Sequence, residues 1–155
     1  MSPRRIVCLT AETTEWLYLL GEQDRIVGIS GFTVRPAQAR REKPRVAAFT
    51  SAKIDQIVAL QPDLVLGFSD LQADIAATLV RAGIEIHIFN QRSVAQILDF
   101  MRMLGAMVGA QSRSAQLIGG FEQNLESARV AAARLPRRPR VYFEEWDEPD
   151  RKSVV

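Results

Sequence analysis

The chain has 155 residues, 47% hydrophobic and 25% charged, an ordinary balance for one well-buried globular domain and one that excludes a largely disordered protein. Its 20 basic and 18 acidic residues leave a net charge of +2, with a pI near 9.0, too small a surplus to imply a nucleic-acid surface. A lone cysteine, Cys8, excludes a disulfide framework and a thiolate metal cluster, and no stretch reaches the roughly 20 apolar residues of a membrane span.

Met1 to Arg5 lacks the apolar core of a secretory leader. As written the chain reads as cytoplasmic; removal of a leader would make it periplasmic or otherwise extracytoplasmic. Ile6-Val7-Cys8-Leu9 is a short buried strand that places Cys8 in the core. Thr10, Thr13 and Thr14 precede or open the helical run Trp16 to Leu20, where threonine hydroxyls can accept orphan backbone N–H bonds. Glu12 and Glu15 suit the positive end of that helix, which Gly21 closes. Ile26 to Ile29 reads as a second strand, left through Ser30-Gly31-Phe32-Thr33. Residues 35–47, broken by Pro36 and Pro44, read as an irregular basic connection.

A short amphipathic helix follows from Ile54 to Leu60, with Ile54, Ile57, Val58 and Leu60 on one face and Pro62 stopping it. Leu64 to Phe68 is a buried strand, Leu71 to Ala82 a helix capped beyond its end by Gly83, and Ile84 to Phe89 another strand. Strand, helix and strand at this spacing form the βαβ unit of a parallel sheet. From Val94 to Leu135 apolar residues recur at helical spacing over about 40 residues, roughly 60 Å at 1.5 Å per residue. Gly109 to Ser114 is the place for a break. Such a length suits a stiff spine between two lobes. Pro136 and Pro139 end it, and Arg140-Val141-Tyr142-Phe143 opens a fresh strand.

In a parallel sheet the loops after Leu9, Ile29, Leu66 and Phe89 collect at one edge, bringing Phe32, Phe68, Asp70, Asn90 and Gln91 together. Phe49 joins them if residues 46–48 form a short entry segment. The shared position of the phenylalanines, rather than their identity, points to an apolar ligand wall. Trp146, within Glu144-Glu145-Trp146-Asp147-Glu148-Pro149, follows the last strand and would occupy the same kind of edge. His87, the only histidine, alternates with Ile86 and Ile88 as a packed strand residue does. The chain has no P-loop, dinucleotide fingerprint or serine elbow, and its acids have no partners for a metal site.

Three segments carry a family resemblance: R-I-V-C-L-T-A-E-T-T-E-W-L-Y-L-L-G at 5–21, I-V-G-I-S-G-F at 26–32, and K-I-D-Q-I-V-A-L-Q-P-D-L-V-L at 53–66. With R-A-G-I-E-I-H-I-F at 81–89, the chain resembles the helical-backbone substrate-binding proteins of vitamin B12, haem and ferric-siderophore ABC importers, and looks most like their cobalamin-binding members. The resemblance implies a non-enzymatic carrier with two Rossmann-like α/β lobes, each with a mostly parallel sheet, joined by a long helix. This chain would supply a ligand-binding lobe over residues 1–93, the inter-lobe helix over 94–135, and the start of a truncated second lobe over 136–155.

The same resemblance implies that Phe32, Phe49 and Phe68 contact cobalamin, a related corrinoid or an iron chelate, with Trp146 touching it from the other lobe. It also places Asp55 where family members carry an acid that docks onto arginines of the membrane permease. Glu15 matches a family acid near the first helix start. No cofactor beyond the transported ligand and no nucleic-acid partner is expected. A nucleotide-dependent Rossmann-like enzyme and an interaction protein remain alternative readings. In the latter, two chains would form a homodimer through the truncated lobe or the long helix.

Overall fold

The computed structural model describes residues 2–142. The chain forms two compact units, Met1–Gly119 and Gly120–Val155. In the first unit, strands β1 (Ile6–Cys8), β2 (Ile26–Ser30), β3 (Arg45–Ala47), β4 (Leu64–Phe68) and β5 (Ile86–Phe89) make one five-stranded sheet in the order β3-β2-β1-β4-β5. Every neighbouring pair is parallel. The α/β class and parallel sheet expected from the alternation of patterns are therefore present.

Parallel strands are buried on both faces, so near-continuous apolar runs are what such a sheet requires. Ile6, Val7, Cys8 and Leu9 have no exposed surface at all. One core cluster joins Val7, Leu9, Val46, Ala47 and Val65 to Ile57 of α3 (Ile54–Ala59) and Leu79 of α4 (Ala73–Arg81). Helices α1 (Ala11–Leu20) and α5 (Val94–Met107) pack against each other and contribute the buried Trp16, Leu17, Phe100 and Leu104. Phe100 meets Phe89 of β5 edge to face at 4.8 Å between ring centroids. A strand-side histidine completes this packing: His87 is half-buried with its ring 4.4 Å from that of Phe89.

Several local expectations change. The basic connection at 35–47 contains a helix, α2 (Ala37–Glu42), followed by β3. Pro36 starts that helix from the N-cap position instead of breaking it, and Ala39 buries against the unit. Thr10 is the N-cap of α1 but its side chain caps nothing. The hydroxyls of Thr13 and Thr14 instead donate to the Thr10 carbonyl at 3.0 and 3.3 Å. Those hydroxyls lie inside the helix, where a backbone carbonyl is nearer than any orphan N–H. Ahead of α4, Asp70–Gln72 forms a 3-10 turn rather than the first turn of the helix.

The helical stretch from Val94 is two helices, α5 and α6 (Gln111–Ala133), with the break at Val108–Ala110 and Gly109 at φ +78. A left-handed residue at that point is ready for glycine and ends the first helix. The two helices approach closely in the first unit. A Cβ at Gly105 would lie 2.5 Å from the Ser114 Cβ. The Met101 carbonyl accepts from both Trp16 Nε1, at 2.9 Å, and Ser114 Oγ, at 3.1 Å, tying α1, α5 and the start of α6 at one point.

In the second unit, α6 runs on to Ala133 and Phe121 is half-buried, while residues 122–142 are exposed. The strand expected from Arg140 is not formed at Arg140, Val141 or Tyr142. A strand persists only where a neighbour completes its ladder, and among the described residues none pairs with this segment. Phe143 and everything after it, including Trp146, lie outside the described residues.

Two outcomes follow from this packing. Gly105→Ala forces α5 and α6 apart, outweighing the gain in helix propensity, and lowers unfolding stability by a net of about 1–2 kcal/mol. Urea denaturation reads this as a lower midpoint, restored in part by adding Ser114→Gly; an unchanged midpoint contradicts the close contact. Burial pushes the Cys8 thiol from 9.0 up to about 12, against smaller opposing effects of hydrogen bonds with Thr13 and Thr14. The folded state thus holds its proton where the unfolded state loses it, so this group's contribution to stability is intact below pH 9 and is lost as the pH rises towards 12. Thiol labelling at pH 8 should accordingly be slow in the native protein and fast in denaturant, and rapid native labelling refutes the burial.

Candidate functional site

All five strands point the same way, so their exits lie along one edge. The strand after β1 in sequence is placed on one side of it and β4 on the other, which makes the edge above β1 and β4 the point where the chain's course reverses. Ligands in open α/β sheets bind at such crevices.

The loop after β2 turns immediately. The Ser30 Oγ accepts from the Phe32 N–H at 3.2 Å, the Ser30 carbonyl accepts from the Thr33 N–H at 3.1 Å, and the Gly31 N–H donates to Ala47 at 2.7 Å. This tight turn leaves Phe32 64% exposed beside Val34 at 61%. After β3 the chain doubles back. Ala47 bridges Ala52 antiparallel, and the N–H groups of Ala48 and Lys53 donate to the Ser51 and Val46 carbonyls, both at 2.8 Å. Phe49 sits at the tip, 37% exposed.

Phe68 ends β4, half-buried, with the Arg92 guanidinium carbon 5.2 Å from the ring centroid. Arg92 also reaches Asp70 at 3.3 Å, and Leu71 next to it is 58% exposed. Between these residues Ser69 takes φ 62 and ψ 171, a conformation that a residue with a side chain rarely adopts and that costs on the order of 1–3 kcal/mol. Its N–H donates to Phe89 at 2.8 Å, and its Oγ accepts from the Leu71 N–H at 3.3 Å.

Gln72 joins two of the aromatic loops. Its side chain has no exposed surface; Oε1 accepts from the Phe68 N–H and Nε2 donates to the Phe49 carbonyl, each at 2.9 Å. Strands β3 and β4 stand three places apart in the sheet, about 14 Å at the usual spacing of about 4.8 Å. The hairpin after β3 therefore reaches across the edge, and Gln72 holds it there.

Phe32, Phe49 and Phe68 thus all emerge at one edge of the sheet. Leu71 and Arg92, absent from the sequence expectation, belong beside them, as does the buried Gln72. Within a helix-like stretch a glutamine reads as a solvent-facing position, and no periodicity reveals that its carboxamide closes two loops. Asp55 is exposed in the first turn of α3. Glu15 pairs with Arg35 at 3.2 Å. On the flanks, Thr33 Oγ1 and Gln91 Oε1 are buried with no hydrogen-bond partner among the described residues. Also among the described residues, no group of three or more His, Cys, Asp or Glu side chains is placed to hold a metal ion. The edge exposes apolar and aromatic side chains beside a few polar groups.

Comparison with known proteins identifies the family. The family model for periplasmic binding proteins matches residues 6–154. An uncharacterized ABC transporter substrate-binding lipoprotein of Bacillus subtilis (strain 168) is 26% identical over 154 residues, covering 96% of this chain and 48% of that protein. The chain thus spans about half the length of the curated relatives it matches. The periplasmic vitamin B12 binding protein of Vibrio cholerae superposes with a TM-score of 0.76 at 26% identity, over 86% of this chain and 52% of that one. A periplasmic haem-binding protein crystallised with two haems superposes with a TM-score of 0.79 at 25% identity, over 93% of this chain and 57% of that one. Aromatic loops gathered at the exit edge of a parallel sheet, long helices after it and a match over almost the whole sequence have one common explanation: the chain belongs to the periplasmic binding protein family, whose members are non-catalytic solute carriers.

Proposed function

We propose that the chain is a ligand-binding lobe of the substrate-binding component of an ABC importer, and that its solute is an iron-bearing macrocycle or chelate, with haem as the first candidate. The observation that carries this reading is the aromatic edge formed by the exposed Phe32 and Phe49 and the half-buried Phe68. Flat rings stack on a macrocycle and gain from leaving water, at roughly 25 cal/mol per Å² of apolar surface covered. Arg92, beside Phe68 and largely exposed, offers a planar fork for a carboxylate, a group that haem carries and the amide-fringed corrin ring largely lacks. The higher TM-score and coverage of the haem-binding relative support the same choice.

Cobalamin is the second reading. It is supported by the B12-binding relative, whose identity to this chain is slightly the higher of the two. On either reading residues 94–135 act as the connection to a second lobe that begins at 136–155, and Trp146 touches the ligand from there. Asp55, an exposed acid on the outer helix α3, would meet arginines of the permease. The protein works outside the cytoplasm, as the family description and the lipoprotein relative suggest.

Titration with haem, cobalamin and a ferric siderophore tests the proposal directly. Saturable binding of haem is expected, and no saturable binding of any of the three refutes it. Phe68→Ala removes a stacking face and the platform under Arg92, weakening the dissociation constant by about tenfold, or 1–2 kcal/mol, with little change in unfolding midpoint. Equal affinity in the variant removes Phe68 from the site. Asp55→Lys is expected to leave ligand affinity unchanged while lowering uptake through the reconstituted permease several-fold; undiminished uptake argues against docking at this residue.

A further inference from the structure

We infer that Gln72 is a positioning residue of the binding edge, setting the separation and orientation of the loops that carry Phe49 and Phe68. The inference rests on the carrier reading above. The polarity of its partners fixes the carboxamide orientation: the Phe68 N–H can meet only the oxygen, and the Phe49 carbonyl only the nitrogen. No other standard side chain of that length offers one neutral acceptor and one neutral donor from the same planar group.

Three neighbouring features are arranged to permit this bridge. A Cβ at Gly67 would fall 2.7 Å from Gln72 Oε1 and 2.6 Å from Ile88 Cδ1, so a side chain before Phe68 would crowd the carboxamide as well as the packing against β5. Ser69 holds an unfavourable backbone conformation that turns the chain from β4 into the 3-10 turn bearing Gln72. Finally, the β3 hairpin bends back across the edge, and its tip carbonyl is the one that Gln72 engages. Local strain and a glycine at close approach are thus both spent on bringing one buried side chain under two aromatic loops. A buried bridge of this kind has a large effect when cut, because both backbone groups are then left without partners and the hairpin is free to swing.

The test uses the full chain and two variants. Gln72→Met keeps the volume and removes both bonds; Gln72→Glu retains an acceptor for the Phe68 N–H. In Gln72→Met, amide exchange at Phe68 is expected to accelerate about tenfold while exchange at Val7, in the centre of the sheet, stays unchanged. The dissociation constant for haem, or for cobalamin if that is the ligand bound, is expected to weaken about tenfold. Gln72→Glu is expected to preserve Phe68 protection and to recover part of the affinity. Wild-type affinity in Gln72→Met overturns the inference. Loss of affinity with equal loss of protection at Val7 also overturns it, because Gln72 would then serve only global stability. If the unsubstituted protein binds none of the probes, the carrier reading fails and the ligand role of Gln72 with it, whereas the Phe68 exchange rate still reports whether the loops are pinned.

Discussion

The constraint on which the first unit depends is that a parallel sheet has to be covered on both faces. Strand β1 lies in the middle of the sheet, and Ile6 to Leu9 are entirely shielded from water. Each crossover back to the start of the next parallel strand has to carry apolar side chains onto one face or the other. Helices α3 and α4 do this through Ile57 and Leu79 and α1 through Trp16 and Leu17, while α5, which follows the last strand, adds Phe100 and Leu104. The same constraint directs every strand exit to one edge. Function can then be placed in short loops without disturbing the buried layers.

Rigidity and exposure are divided accordingly. The carbonyl of Met101, shared by Trp16 and Ser114, and the close approach at Gly105 lock helices together away from the exit edge. At the edge itself, large apolar side chains stand in water, and the backbone at Ser69 holds a costly conformation. Exposed aromatic surface gathered in one place is a mark of a partner or ligand. Strain retained beside it fits a surface whose geometry matters more than its local energy.

The division between a stiff sheet and an exposed edge is consistent with membership of the periplasmic binding protein family. Fold alone does not select the solute. Haem and B12 carriers superpose on the chain almost equally well. The proposed choice of solute rests on the few side chains at the edge, above all the aromatic faces and the Arg92 guanidinium.

The amino-acid sequence by itself determined the α/β class, the strands around Val7, Val65 and Ile88, and the common edge on which Phe32 and Phe68 emerge, while the place of Phe49 depended on a strand, β3, that only the structure shows. Apolar runs and breakers are local signals, and parallel strands have only one way to share an exit side. The helix at 37–42 was illegible because a proline ahead of it reads equally as a breaker or a first turn. The break at Val108–Ala110 was visible only as a weakness of helix propensity near Gly109. Only the tertiary structure decided that Gln72 is buried, that the hairpin carrying Phe49 crosses to meet it, and that Arg92 lies over Phe68. Those contacts join residues far apart in the chain, through polar groups that leave no periodic trace in it.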